Sequence, residues 1–210
     1  MSRIYLIVND PLVAGRMRSL IDGRPGWQAV GWAATLAQAR SQLAAARPDL
    51  VLADLQLADG WASTLLAELS ASARYGRPRS LVITLSLDDS QLLEALCSGA
   101  DGYFLQGQSP QALLAAIEQT LAGGAEMAPA IARQVKAHFD SVPAGDDSGD
   151  PLRPTSGERL MLQWIADGFL PHEIARDLRI TQREVARRVR GLYRKLQFDR
   201  RTAALSLKLA

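Results

Sequence analysis

Two carboxylates stand where strand ends bring chemistry together. Asp10 follows the apolar run "IYLIV" (4–8), and Asp54 closes the buried-type run "LVLAD" (50–54). If both runs are neighbouring strands of one parallel sheet, the two acids converge at its carboxyl edge, where such sheets bind ligands. Two carboxylates completed by water can hold Mg²⁺, a hard cation that prefers oxygen ligands. One of them could then attack a phosphoryl group, because the metal offsets the charge repulsion. A purely structural use of Asp54, capping the adjacent loop, stands beside that reading.

A second set of chemically active residues lies in "ITQREVARRVRGLYRKL" (180–196), which carries six basic side chains and one acidic one. Arg183, Arg187, Arg190 and Arg194 fall at i, i+4, i+7 and i+11, and Val185, Val189, Leu192 and Leu196 repeat the same intervals two residues later. At about 100° per residue the two sets occupy nearly opposite faces of one helix. Thr181 and Glu184 have the spacing of a capping box at its start. Buried aliphatics on one face and guanidiniums on the other suit a helix that packs inward while its outer face contacts phosphates and base edges.

The elements that would position these groups are legible in the pattern. Apolar runs at 4–8, 50–53, 80–85 and 102–105, with "WQAVGWA" (27–33) as a weaker fifth, alternate with helical periodicity near 12–22, 36–46, 61–72, 89–98 and 109–122. Five strands alternating with five helices predict a parallel, doubly wound α/β sheet covered on both faces. A further amphipathic stretch, 126–139, leads towards "SVPAGDDSGDPLRPT" (141–155), whose composition is that of a linker. After it, short helices are expected at 156–168, at 170–178 beginning with Pro171, from Thr181, and from about Thr202 to the end. Leu162, Ile165, Ile174 and Leu178 should meet the apolar stripe of the basic helix. The expected organisation is therefore 1–122 as the α/β domain, 123–152 as a linker with a helical start, and 153–210 as a small four-helix domain containing a helix-turn-helix.

Charge supports this division. The net charge is +2, yet residues 153–210 carry 13 Lys and Arg against 6 Asp and Glu, while residues 1–152 carry 11 against 16. A basic tail on an acidic partner points to a polyanion. The single cysteine, Cys97, rules out an intrachain disulfide and a cysteine-based zinc site. No apolar run approaches the ~18 residues of a membrane span, and the N-terminus meets Asp10 too soon for a signal peptide. The expected location is the cytoplasm. His138 and His172 suggest no metal pair, and Gly123-Gly124 lacks the Lys-Ser/Thr of a phosphate-binding loop.

The segment "GERLMLQWIADGFLPHEIARDLRITQREVARRVRGLYRKLQFDRRTAAL" resembles the LuxR-type helix-turn-helix of NarL/FixJ response regulators. The resemblance implies DNA contacts through Ala186, Arg187 and Arg190, with Arg183 and Arg194 on the same basic face. Where Ala186 stands, the family usually has lysine. The last helix, with Ala204, Leu205 and Leu209, resembles the family's dimerisation helix; packing inside the domain is the other use of those residues. Residues 3–122 resemble a phosphoacceptor receiver domain. By that resemblance Asp54 is the phosphoacceptor, Asp10 and the Gln56 carbonyl complete a metal site with it, and Thr84 and Tyr103 are the switch residues. Two positions depart from the family: Asn9 replaces an acid, and Gln106 replaces the lysine that pairs with the phosphoryl charge. The pocket loses an anion and a cation together, so any Mg²⁺ site is weakened.

These residues point to a homodimeric transcriptional regulator that binds duplex DNA with paired half-sites, and whose atypical receiver is poorly phosphorylated. The alternative is an ordinary phosphorylation-activated response regulator answering to a sensor kinase. An aspartate-dependent phosphatase would need a second acid two residues after Asp54, and Gln56 is not one. Binding of the basic tail to RNA is a third class, separable by its preference for duplex half-sites.

Overall fold

The computed structural model describes residues 1–87, 90–141 and 153–209, with side chains through Asp199. The chain divides into two compact units, Met1–Ala122 and Gly123–Ala210.

In the first unit the five expected strands form one parallel sheet. Its strands are β1 (Ser2–Ile7), β2 (Trp27–Ala33), β3 (Leu50–Asp54), β4 (Arg79–Thr84) and β5 (Gly102–Leu105), in the order β2-β1-β3-β4-β5. Five helices connect and flank them: α1 (Pro11–Asp22), α2 (Leu36–Ala46), α3 (Ala62–Ala71), α4 (Ser90–Ser98) and α5 (Pro110–Leu121). The order reverses between β1 and β3, which opens a crevice at their carboxyl ends. Period-two alternation divides the buried side chains between the two faces. Ile4, Leu6, Leu50, Leu52, Leu81, Ile83 and Phe104 pack with Met17, Ile21, Leu113 and Ile117 of α1 and α5. The opposite face holds Tyr5, whose hydroxyl donates to Gln42 of α2 at 2.5 Å.

Sheet register delivers the acids to one place. Ile7 pairs with Ala53, and Asp54 pairs with Ile83, so Asn9, Asp54 and Thr84 all emerge at the same edge. The β1–β2 register shifts between Ile4 and Tyr5. There the Tyr5 ring lies against Gly31, where an added Cβ would come within 2.4 Å of the ring.

The second unit begins earlier than the composition suggested. Helix α6 (Pro129–Ser141), expected to lead into the linker, packs on α7 (Ser156–Ala166) and buries Ile131, Ala132, Val135 and Phe139. Arg133 of α6 donates to the Ala166 carbonyl at the end of α7, and His138 pairs with Asp199 at 2.8 Å. Four buried apolar side chains on one face explain why this helix docks rather than floats. The central expected linker residues, 142–152, lie outside the described residues.

Helix α7 opens with a reciprocal capping box between Thr155 and Glu158. Glu158 also takes the Lys195 ammonium at 2.5 Å, in a pair whose side chains are 15% and 16% exposed. Burial, the largest single influence, opposes ionisation of that carboxyl, but the Lys195 bond and charge together with the Thr155 bonds outweigh it and leave Glu158 below its ordinary value. Helix α8 (Pro171–Asp177) is followed by a turn with Arg179 at φ 55° and then by α9 (Gln182–Leu209). A separate final helix from about Thr202 was expected; α9 instead runs through that point. The sequence "LQFDRRT" contains neither glycine nor proline to stop it.

Candidate acidic pocket and nucleic-acid interface

At the β1/β3 crevice, Asn9, Asp54, Gln56, Trp61, Thr84, Ser86 and Gln106 are among the residues lining a cavity of about 340 Å³. Tyr103 is half-buried on β5 and does not line it. The Asn9 backbone N–H donates to Asp54 Oδ2 at 2.9 Å. The other oxygen, Asp54 Oδ1, is buried with no hydrogen-bond partner among the described residues. Burial pushes the Asp54 carboxyl above its usual 3.8, the Asn9 N–H pulls it back, and the nearby charge of Asp10 adds to the rise. The Thr84 hydroxyl is turned to its own loop, donating to the Ser86 carbonyl at 2.9 Å.

Asp10 does not point its full ligand capacity at this cavity. It is the N-cap of α1, where Oδ1 accepts from Leu12 N–H at 2.7 Å and Val13 N–H at 3.4 Å. The Asn9 carboxamide spans the crevice. Its Nδ2 donates to the Gln56 carbonyl at 2.7 Å, and its Oδ1 accepts from Ala58 N–H at 3.0 Å. The Gln56 carbonyl expected to ligate a metal is thus already engaged by an amide donor. Among the described residues no cluster of three His, Cys, Asp or Glu side chains could hold a metal ion. Of this donor set, Asp10 Oδ1 is committed to the helix cap and the Gln56 carbonyl already accepts from Asn9, which leaves a poor seat for Mg²⁺.

In the second unit the inward stripe of α9 is as the periodicity requires: Val185, Val189, Leu192 and Leu196 are buried, as are Leu162, Ile165 and Ile174. Leu178 is half-buried. The outer face differs from expectation. Arg183, Arg187 and Arg194 are exposed, whereas Arg190 is only 9% exposed and Ala186 is buried with it. Ala186, Arg190 and Tyr193 form an i, i+4, i+7 row, and the chain entering α6 bonds to both of its ends. Ala125 N–H donates to the Ala186 carbonyl at 3.0 Å, and the Tyr193 hydroxyl donates to the Glu126 carbonyl at 2.8 Å. Helical periodicity gives the face of a residue on its own helix, but not which distant segment lies against that face.

Glu184 is the acidic residue of this helix start. Thr181 Oγ1 accepts its N–H, which is half of the expected capping box. Its carboxylate is held by Arg187, through Nε at 2.6 Å and Nη2 at 2.7 Å, and by Arg188 at 3.1 Å. These guanidinium bonds, Arg187 first, lower the Glu184 carboxyl from 4.5 to about 2. The i, i+3 and i, i+4 spacings carried that signal. Ala204, Leu205 and Leu209 lie on the helical backbone of α9, and their side chains are outside the described residues.

Comparison with known proteins agrees with this architecture. The response regulator receiver domain model matches residues 4–118, and the model for bacterial regulatory proteins of the luxR family matches 155–207. The nitrate/nitrite response regulator protein NarL of Escherichia coli K12 is 30% identical, over 96% of this chain and 92% of its own. The DNA-binding transcriptional activator DevR/DosR of Mycobacterium tuberculosis is 28% identical, over 97% and 92%. A LuxR-family two-component response regulator from Aurantimonas sp. SI85-9A1 superimposes with a TM-score of 0.58 at 30% identity, covering 67% of this chain and 99% of that one. RcsB of Salmonella enterica serovar Typhimurium, solved on promoter P1flhDC with a phosphomimetic, shares the fold at 19% identity and a TM-score of 0.56, over 93% and 92%. The chain belongs to the NarL/FixJ family of response regulators, a receiver domain followed by a LuxR-type helix-turn-helix.

Proposed function

We propose that this protein is a DNA-binding transcriptional regulator that reads duplex DNA with α9 as a homodimer on paired half-sites, and whose receiver responds weakly to phosphorylation at Asp54. The observation that carries the DNA-binding reading is the α8–turn–α9 unit, with an apolar stripe buried on one side and Arg183, Arg187 and Arg194 exposed on another. A helix placed this way enters the major groove with its first turns towards base edges. Ala186 and Arg190 join that surface only when the segment 123–128 leaves their row.

The weak phosphoryl response follows from chemistry at the pocket. A phosphoryl group on Asp54 would meet neutral Gln106 instead of a cation, and Asn9 already occupies the Gln56 carbonyl. No helix among the described residues is long and apolar enough to cross a membrane, and the cytoplasm, with access to the chromosome, is the compartment this function requires.

Arg187→Ala and Arg190→Ala test the interface. Each should weaken specific binding by about 1–3 kcal/mol if the side chain reaches a base. If it reaches only phosphate, the loss should be equal on all sequences and the log-salt slope should flatten by about 0.9. Unchanged affinity in both variants, with folding intact by circular dichroism, would remove α9 from the interface.

A further inference from the structure

Resting on the reading of the receiver as poorly phosphorylated, we propose that the Asn9 carboxamide takes the place of the divalent cation in this pocket, so that the loop after β3 is held without metal. The loop is pinned by protein groups on three sides. Leu55 N–H donates to the Ile83 carbonyl at 2.8 Å, anchoring the start of the loop to β4. The Asp59 carboxylate receives Leu36 N–H at 2.8 Å and Ala37 N–H at 2.9 Å, anchoring its far side to the start of α2. Between them Asn9 closes the crevice by giving an N–H to the Gln56 carbonyl and taking the Ala58 N–H.

The orientation of that amide follows from both partners. A flipped amide would set oxygen against the Gln56 carbonyl and nitrogen against the Ala58 N–H, so one arrangement alone satisfies both. The same geometry says what an acid would do there. A carboxylate at position 9 would put an anionic oxygen 2.7 Å from the Gln56 carbonyl oxygen, beside Asp54. Such a cluster is repulsive until a cation sits between the oxygens. Asparagine supplies its own positive hydrogen at that point, and one atom of difference decides whether the loop needs a metal.

The test compares the full-length wild type with Asn9→Asp and Asn9→Ala, titrated with MgCl₂ after chelation. Calorimetry and thermal melting report binding, and amide exchange at Ala58 reports the loop. The wild-type melting temperature should not respond to millimolar Mg²⁺, and Ala58 should be equally protected with and without it. Asn9→Asp should melt lower in chelator, recover with Mg²⁺, and bind the ion roughly tenfold or more tightly than wild type, because a third charge meets it. Asn9→Ala should lose Ala58 protection with or without Mg²⁺. Equal Mg²⁺ affinity of wild type and Asn9→Asp would overturn the proposal, as would full Ala58 protection in Asn9→Ala. Ready phosphorylation of wild-type Asp54 with an increase in DNA affinity would instead overturn the functional reading, a separate outcome with its own readout.

Discussion

Replacing Ala125 with proline removes the N–H that bonds the Ala186 carbonyl at 3.0 Å, and Tyr193→Phe removes the hydroxyl that bonds the Glu126 carbonyl at 2.8 Å. Together these two bonds hold the segment 123–128 along the row that contains Arg190. A hydrogen bond of this kind contributes about 0.5–1.5 kcal/mol net. Where the DNA-competent state is a minor one, apparent affinity is reduced by its fraction, so weakening the clasp raises affinity by the same energy. Each variant should therefore bind a half-site duplex about 2–10 times more tightly, and the double variant up to on the order of a hundredfold if the two terms add. Uncovering Arg190 also adds a cation, which should steepen the log-salt slope by about 0.9. Fluorescence anisotropy of the full chain on a labelled duplex, between low and physiological salt, measures both quantities. Affinity and slope unchanged in both single variants would show that this segment does not compete with DNA.

Glu184→Gln releases Arg187 and Arg188 from their shared carboxylate, so DNA binding should tighten and its salt dependence should increase; a weaker complex would show that Glu184 itself is needed at the interface. Because Glu184 is depressed from 4.5 to about 2, its contribution to helix stability is fully present above pH 4.5 and is lost as the pH falls through 2. Thermal melts of wild type and Glu184→Gln should converge over that window. Gly31→Ala forces a Cβ to within 2.4 Å of the Tyr5 ring, which is 1% exposed and bonded to Gln42. Overpacking of this kind should cost about 1–3 kcal/mol, read from chemical denaturation, and a neutral result would mean that the ring relaxes freely.

The fold was legible because its signals are local. Strand-length apolar runs alternating with amphipathic helices specify the parallel sheet, and Asp10 and Asp54 then reach one edge through register alone. The inward stripe of α9 was legible for the same reason, since helical periodicity fixes which side chains share a face. What escaped depends on contacts distant in sequence. Arg190 has the spacing of an exposed arginine, yet Ala125 and Glu126 bond to its neighbours in the row from more than sixty positions away. Asn9 was visible as a missing acid, but its two bonds to the β3–α3 loop require the loop path to be known. Helix α6 has an amphipathic pattern that says one face is buried, but not which unit supplies the partner. The run of α9 through Thr202 reflects the absence of a breaker, where the sequence pattern reads as two helices.

The most direct measurement is the affinity of the full-length protein for a duplex with paired half-sites, with and without acetyl phosphate and Mg²⁺, for wild type and for Asn9→Asp with Gln106→Lys. Wild-type affinity should change by less than about twofold, ~0.4 kcal/mol, and Asp54→Asn should behave like wild type. The double variant, which restores an acid and a cation to the pocket, should gain both phosphorylation and a phosphorylation-dependent increase in binding. Efficient wild-type phosphorylation at Asp54 accompanied by a large rise in DNA affinity would contradict the reading of this receiver and return it to ordinary phosphoryl control.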